Sequence, residues 1–574
     1  MDTISKLISV IPSKFYPRIL LLIFFAIAGM FLELAGIGMI FPVIEVLLDR
    51  ESEIFTKIDF YIGYFFPNFE LDKRFLILFF LLGIFVLKNI FLFFLKWFAV
   101  SFNVKFIKEI STDLMNRYLN IEYVFFTKKN SSEILRNVIN ECSVLNKKIL
   151  IPLLFILMDI LILFGIAALL LLVEFKITLI IILFSITLVL LYYFLSKKYL
   201  YKLGLERQLF SRMVLKITQE TFHGLKIIKV LKKENYFKNL FSKNMEKNLN
   251  VEKKGGLIIF APKLFTEVIF VSIFIFIVIY LLKINTNFTD ILPQLSIYFI
   301  AAVRLIPCIN RLSLNVQTIK YGKSSIDLLY NEFNLLNNDN KITTNENKEL
   351  TKFENIELKD INFNYNQGKI VLNQINLKIK KGSIIGIIGK TGEGKSTLIN
   401  IIIGLLKPNS GSIFLDDKLL KTNLYKFKNF IGYIPQETFL IEGTILQNII
   451  FTLEKNFEYD KKRLENAIKW SKVDNFLNKL QDDIDLLVRE RGSNLSGGQQ
   501  QRISIARALY RDPKILILDE STNSLDEETE SEIMDDICQL KKEKSIIIIS
   551  HRKSSLKNCD HIYEIKDRKL IKVK

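Results

Sequence analysis

The stretch GKTGEGKST, residues 389 to 397, stands between the apolar β run IIGII and a helical run. Glycines at 389, 392 and 394 let backbone N–H groups close around phosphate oxygens, and a following helix N-terminus favours the same anion. Lys395 is placed to reach the terminal phosphates of a nucleotide, and Ser396 to ligate Mg²⁺. Read as a phosphate-binding loop, Gly389, Lys390, Thr391, Gly392, Glu393, Gly394, Lys395, Ser396 and Thr397 together form a candidate surface for ATP.

About a hundred residues downstream come LSGGQQQR (495–502) and ILILDE (515–520). The apolar strand ends in Asp519, suited to the Mg²⁺ shell, and in Glu520, placed to polarise an attacking water. IIIISHR then sets His551 after another β run; alone it would read as a structural histidine, but it shares its order and spacing with the other motifs. Short β-rich runs alternate with helical stretches over 353–574, which predicts a soluble α/β P-loop domain.

The remainder of the chain is built for lipid. Of 574 residues, 50% are hydrophobic and 48 are Phe, and the mean hydropathy is +0.28, which points to a membrane protein. The net charge of +19 then marks cytoplasmic loops, and no nucleic-acid partner is expected. Four cysteines lack metal-ligand or paired spacing, so no disulfide framework is expected. The first apolar run is too long for a signal peptide and has no small-residue cleavage site, so it reads as a retained span.

Apolar runs long enough to cross a bilayer lie at 17–47, 75–102, 150–173, 175–196, 256–283 and 292–320. The segments 103–149 and 197–254 carry eight and fifteen Lys/Arg against five Asp/Glu each, whereas 49–73 has six acidic and three basic residues. The positive-inside rule places both basic segments and both termini in the cytoplasm. Both segments have helical patterns that extend the spans beyond the bilayer. The expected organisation is a six-span α-helical membrane domain over 1–335, a polar linker over 336–352 and the α/β domain over 353–574.

With all the nucleotide motifs in order, the chain resembles the ATP-binding cassette family over essentially its whole length, in the layout of exporter-type half-transporters. The resemblance implies that Tyr365 of FNY stacks on adenine and that Gln436 of YIPQ contacts Mg²⁺ and water. It implies that Ser496, Gly497, Gly498 and Gln499 close over the ATP of a partner subunit, that Asp526 of SLD crosses the dimer seam, and that His551 contacts the γ-phosphate. The implied catalytic set is Glu520, His551 and Gln436, with Mg²⁺ on Ser396, Gln436 and Asp519. Glu490 matches the position that touches cytoplasmic loops of the membrane domain, and Asn120–Thr127 and Thr221–Val230 resemble coupling helices. Asn523 and the run SHRKS depart from common forms without removing a catalytic group. One cassette with six spans is half a transporter, so a second copy is the expected partner, with a related chain the alternative.

Among the cations within the spans, those that stand out are Lys88, Lys263, and Arg304 and Arg311 of FIAAVRLIPCINRL (299–312). A mid-bilayer guanidinium costs at least ~2.5–3.5 kcal/mol, so a role is expected for each. One reading pairs them with Glu33, Asp159 or Glu267. The other is a positive cavity for an anionic headgroup, since Arg matches phosphate by its planar fork. This stretch, TKKNSSEIL, SSIDLLY and the outer segment LDRESEIFTKIDFYIGYF resemble the bacterial lipid-linked oligosaccharide flippases, in which the outer segment forms a short external helix. That resemblance implies cations facing a pyrophosphate-bearing lipid. The implied cargo is a polyprenyl-pyrophosphate-linked oligosaccharide moved across the bacterial inner membrane; the alternative is another amphipathic cargo, such as a lipid A-type lipid, a peptide or a drug.

Overall fold

The computed structural model describes residues 3–39, 43, 73–173, 175–284, 288–338, 353–365, 368, 370–420, 427–454, 456–480, 484–520, 527–550, 552 and 555–574. The chain divides into two compact units. One comprises Met1–Ile121 and Lys129–Asn340, the other Glu122–Lys128 and Lys341–Lys574.

The first unit opens with the short α1 (Thr3–Val10), followed by six long helices. These are α2 (Tyr16–Gly38), α3 (Lys73–Asn120), the helical stretch 131–173 (α5), α6 (Phe175–His223), α8 (Glu234–Ile284) and α9 (Phe288–Asn338). Two short helices, α4 (Val124–Lys128) and α7 (Leu225–Val230), stand between them. Phe24, Phe79, Phe93, Phe164 and Phe276 point outward, as expected of helices whose outer face meets hydrocarbon. Ser13–Gly38, Leu78–Asn120, Ser131–Ala168 and Glu234–Phe276 are long and apolar enough to cross a membrane; α6 and α9 overlap the apolar runs at 175–196 and 292–320. Helices α3, α6, α8 and α9 have 48, 49, 51 and 51 residues. At 1.5 Å per residue each exceeds ~70 Å, more than twice the ~30 Å hydrocarbon core, so each continues far outside it. Helix α9 runs to Asn338, past the expected start of the linker. The outer segment 49–72 lies outside the described residues.

Polar residues fill the core of the helix extensions because α5 winds as π-helix over Arg136–Glu141 and Asn146–Leu150. The extra residue in each π turn shifts the helical face, and Arg136, Asn137, Glu141 and Asn146 all point inward. Arg207 and Gln208 of α6 each donate to Glu141 at 3.1 Å. Asn137 accepts from Arg136 at 3.0 Å and donates to the Tyr118 hydroxyl at 3.1 Å. Tyr118 in turn donates to Glu332 of α9 at 2.7 Å, and Lys129 pairs with the same carboxylate. Paired in this way, the charges escape the cost of isolated burial.

In the second unit, Asn355–Phe363 (β1), Leu372–Lys380 (β2), Ser410–Leu415 (β4) and Lys418–Leu419 (β5) form an antiparallel sheet in the order β2-β1-β4-β5. A six-stranded sheet has the order β12-β11-β3-β10-β9-β6. It is formed from Ile384–Ile388 (β3), Ile431–Ile434 (β6), Ile515–Asp519 (β9), Ser545–Ile549 (β10), His561–Lys566 (β11) and Lys569–Lys572 (β12). All its pairings are parallel except β11 with β12. Strands β3, β9 and β10 are buried almost throughout, which is why they read as unbroken Ile/Leu runs and not as alternating ones. Within this unit Val124 of α4 packs against the main apolar core, and Glu122 pairs with Lys407.

Helix α9 crosses its neighbours closely at Tyr321. A Cβ on Gly204 would stand 2.3 Å from the Tyr321 carbonyl oxygen, and one on Gly255 3.0 Å from its ring, whereas one on Gly256 would meet nothing within 4 Å. Gly to Ala in a helix normally gains ~1 kcal/mol. At Gly204 the clash reverses the sign, since overpacking costs ~1–3 kcal/mol. Gly204→Ala is expected to lower the thermal midpoint of the purified protein while Gly256→Ala leaves it unchanged or raises it. An unchanged midpoint for Gly204→Ala would contradict the close crossing.

Candidate functional site

The six-stranded sheet brings its sequence-distant motifs to one edge. Ile549 of β10 is in register with both Ile387 of β3 and Asp519 of β9. The segments that follow these strands therefore leave together at the carboxyl edge, where α/β sheets bind ligands. After β3, Gly392 and Gly394 take positive φ (+86° and +104°), a conformation that costs a residue with a Cβ and that turns successive N–H groups to one side. The loop is closed by Glu393, whose carboxylate accepts from Lys390 N at 2.8 Å. Helix Lys395–Ile402 (α10) begins directly afterwards, with Ser396 exposed on its first turn.

Lys395 is buried; its ammonium donates to Gly389 O and lies 4.0 Å from Glu520 Oε1. Burial lowers its pKa, with Glu520 opposing that shift. Gln436 donates to the other Glu520 oxygen at 2.9 Å. Glu520 sits just past β9 at φ +47°, a left-handed conformation that costs a non-glycine residue ~1–3 kcal/mol and that clusters at functional sites. Asp519 is raised above the usual carboxylate range by burial and accepts a 3.1 Å hydrogen bond from Tyr433. Tyr433 is the first residue of YIPQ, and its pairing with Asp519 across 86 residues of chain has no local signal in the sequence.

These residues fit a magnesium nucleotide. Ser396, Gln436 and Asp519 would supply a hydroxyl, an amide and one carboxylate, all oxygen donors. Mg²⁺ is commonly held by one or two carboxylates, with substrate phosphates completing its shell. Bound Mg²⁺ would neutralise charge on the phosphates. Lys395 and the loop N–H groups are placed where they would orient a terminal phosphate, and Glu520, held by Gln436, where it would accept a proton from water.

Tyr365 is half-exposed, edge-on to Phe363 at 5.0 Å, and its hydroxyl lies 3.0 Å from Thr397 Oγ1. Ser496 caps helix Gly497–Tyr510 (α14) in a capping box with Gln499. This fixes the serine hydroxyl and the first N–H groups of that helix at the surface. Glu490 is exposed in a short turn before α14. Asp526 and His551 lie outside the described residues.

The four named membrane cations separate. Lys88 is buried (1% exposed) with Glu33, Nζ to Oε2 3.2 Å, so it takes the ion-pair reading and does not line an open cavity. A charge at that depth needs a counter-ion. Arg311 directs Nε and Nη2 to Asp159 Oδ1, at 3.0 and 2.6 Å, yet its side chain stays half-exposed. Lys263 is exposed, 5.7 Å from the Phe260 ring centre. The side chain of Arg304 lies outside the described ones.

Residues 372–523 match the ABC transporter family and residues 19–303 the ABC transporter transmembrane region. Both units of the chain thus carry a match to the ABC transporters. A bacterial Atm1-family ABC exporter solved with ATP bound has the same fold, with a TM-score of 0.79 over 97% of this chain and 94% of that one at 18% identity. The chain is 28% identical to the ATP-dependent lipid A-core flippase of Saccharophagus degradans over 65% of its own length and 62% of the relative's. It is 36% identical to a putative export ATP-binding/permease protein of Rickettsia typhi over 43% of its own length. The matches span 41% and 62% of the length of these two relatives. This is the ABC exporter fold, a membrane domain followed by a nucleotide-binding domain.

Two substitutions test the geometry. Glu520→Gln keeps the contact with Gln436 but removes the base, so ATP turnover is expected to fall by ~10²–10⁴ with ATP still bound. Lys395→Ala should instead weaken nucleotide binding itself, measured with a fluorescent ATP analogue. In the membrane domain Lys88→Met is expected to destabilise the fold by ~3–5 kcal/mol by stranding buried Glu33. Adding Glu33→Gln should restore most of that loss in thermal unfolding.

Proposed function

We propose that the chain hydrolyses ATP and uses it to move an amphipathic, phosphate-bearing lipid from the cytoplasmic to the outer face of a bacterial inner membrane. The observation that carries the ATP-driven part is the convergence of Lys395, Gln436, Asp519 and Glu520 on one sheet edge of a chain that also has six long helices. The cargo reading rests on the half-exposed Arg311 and exposed Lys263, together with Arg304 on the same helix as Arg311. Within that class the first candidate is a polyprenyl-pyrophosphate-linked oligosaccharide, supported by the sequence resemblance around these residues. The second is a lipid A-type lipid, favoured by the likeness to a lipid A-core flippase.

The active unit in this reading is a pair of identical chains. Ser496 and the N-terminus of α14 have no role toward the phosphate loop of their own domain in the mechanism above, whereas a second cassette would bring them over it. Around α7, Phe222, Ile227, Val230 and Leu231 are at least 60% exposed, a cytoplasmic apolar tip of the kind that marks an interaction surface.

Mixed dimers of Lys395→Ala and Ser496→Arg subunits should recover one intact site and part of the ATPase activity that each homodimer lacks. No recovery in verified mixed dimers would count against shared sites. For the cargo, reconstituted protein is expected to show ATPase stimulation and flipping with a polyprenyl-pyrophosphate-linked glycan. Stimulation by lipid A alone would select the second candidate, and stimulation by neither would reject the cargo class while leaving the ATP site standing.

A further inference from the structure

We infer that the membrane domain holds an anionic phospholipid of the cytoplasmic leaflet in a cavity between α2, α3 and α5, an inference that does not depend on the cargo's identity. The cavity has a volume of about 80 Å³ and is walled by Ala26 of α2, Ala99 of α3 and Leu154 and Phe155 of α5. Its polar residues are Lys96 and Asn103, both on α3. Seven residues apart, they share one helix face about 10 Å from end to end.

Three observations point to a lipid. Lys96 is exposed, and its ammonium lies 4.0 Å from the Phe155 ring centre with no carboxylate partner among the described residues. Unlike Lys88 and Arg311, it therefore leaves a positive charge for a ligand to answer. Asn103 is 7% exposed, and its Oδ1 has no hydrogen-bond donor, a vacancy that a buried polar atom rarely keeps. A headgroup hydroxyl or ammonium would fill it.

Depth supplies the third. Asn103 opens the basic cytoplasmic segment, Ile151 begins the apolar part of α5, and Ala26 lies two turns beyond Arg18. Trp97, 58% exposed, stands beside Lys96 as an interfacial tryptophan does. The cavity thus opens where inner-leaflet phosphates meet the first methylenes. The phosphate pairs with Lys96, and the upper part of an acyl chain enters between Ala26, Ala99 and Leu154. A small apolar export substrate would have no use for Lys96, and a soluble anion none for the apolar walls.

The test uses the full-length protein in nanodiscs of phosphatidylcholine with a minor fraction of phosphatidylglycerol bearing an acyl-chain diazirine. Photolysis followed by peptide mapping should label α2 and α5 around residues 26 and 154. Lys96→Gln should reduce that labelling by about tenfold, the loss expected for a charge-assisted contact, and Lys96→Arg should retain it. Leu154→Trp, which fills the cavity and keeps the charge, should also abolish labelling there. ATP binding by each variant confirms the fold. Uniform labelling along the helices, or equal labelling in wild type and Lys96→Gln, would overturn the inference. So would equal labelling when phosphatidylcholine carries the diazirine, since charge would then play no part. Loss of cargo flipping with the labelling pattern intact would bear on the proposed cargo and not on this site.

Discussion

Ile549 lies beside Ile387 on one side and Asp519 on the other, and that three-strand register is the constraint on which the nucleotide site depends. A slip of one residue would invert every side chain, so the chain pins the register with strands that are apolar on both faces. Ile385, Ile387, Ile517, Ile547 and Ile549 are all at most 1% exposed. At the carboxyl ends of the strands polar residues appear, at Asp519, Glu520 and Ser550, and they appear together because the strands end together. The left-handed backbone of Glu520 is tolerated there because its N–H is tied to Ile549 O at 3.0 Å. Packing energy in the sheet thus maintains local strain at the base.

In the membrane unit, by contrast, three charges are held by a counter-charge on another helix. Lys88 with Glu33, Arg207 with Glu141 and Arg311 with Asp159 join α3 to α2, α6 to α5 and α9 to α5. Such pairs add little net stability over apolar residues of the same volume, but breaking one leaves an uncompensated charge. They therefore select which helices meet and at what height. The network from Glu141 through Arg207 and Gln208, and from Arg136 through Asn137 and Tyr118 to Glu332 and Lys129, ties α3, α5, α6 and α9 together within the first unit.

Much of this was legible in the sequence for physical reasons. The phosphate loop could be read because its chemistry demands glycines and a lysine at fixed offsets, and β3, β9 and β10 because double burial leaves only aliphatic residues. The spans followed from length and hydropathy. What could not be read was pairing across distance. Nothing local marks Glu33 as the partner of Lys88, or Tyr433 as the donor to Asp519, because those contacts arise only when helices or strands more than fifty residues apart assemble. The π turns at Arg136 and Asn146 were equally hidden, since a helical pattern does not announce an added residue. Lys96 was hidden for the same reason, since nothing in its span distinguishes a cation beside a cavity from one that reaches water.

The Arg311–Asp159 pair bears on how a phosphate headgroup could be held and then released. Both contacts to the aspartate go to a single carboxylate oxygen, Nη2 also reaches Cys308 Sγ at 3.2 Å, and Asp159 Oδ2 has no partner among the described residues. The contact therefore orients the guanidinium by one edge while Nη1 keeps its donors, and half of the side chain stays exposed. A guanidinium has five donors in a fixed fork, so a phosphate can take the free edge without displacing the aspartate. The same aspartate cancels the net charge of the pair and weakens the long-range pull on that phosphate. For a transporter this balance is useful, because a cation with no counter-ion would hold a pyrophosphate too tightly to let it leave.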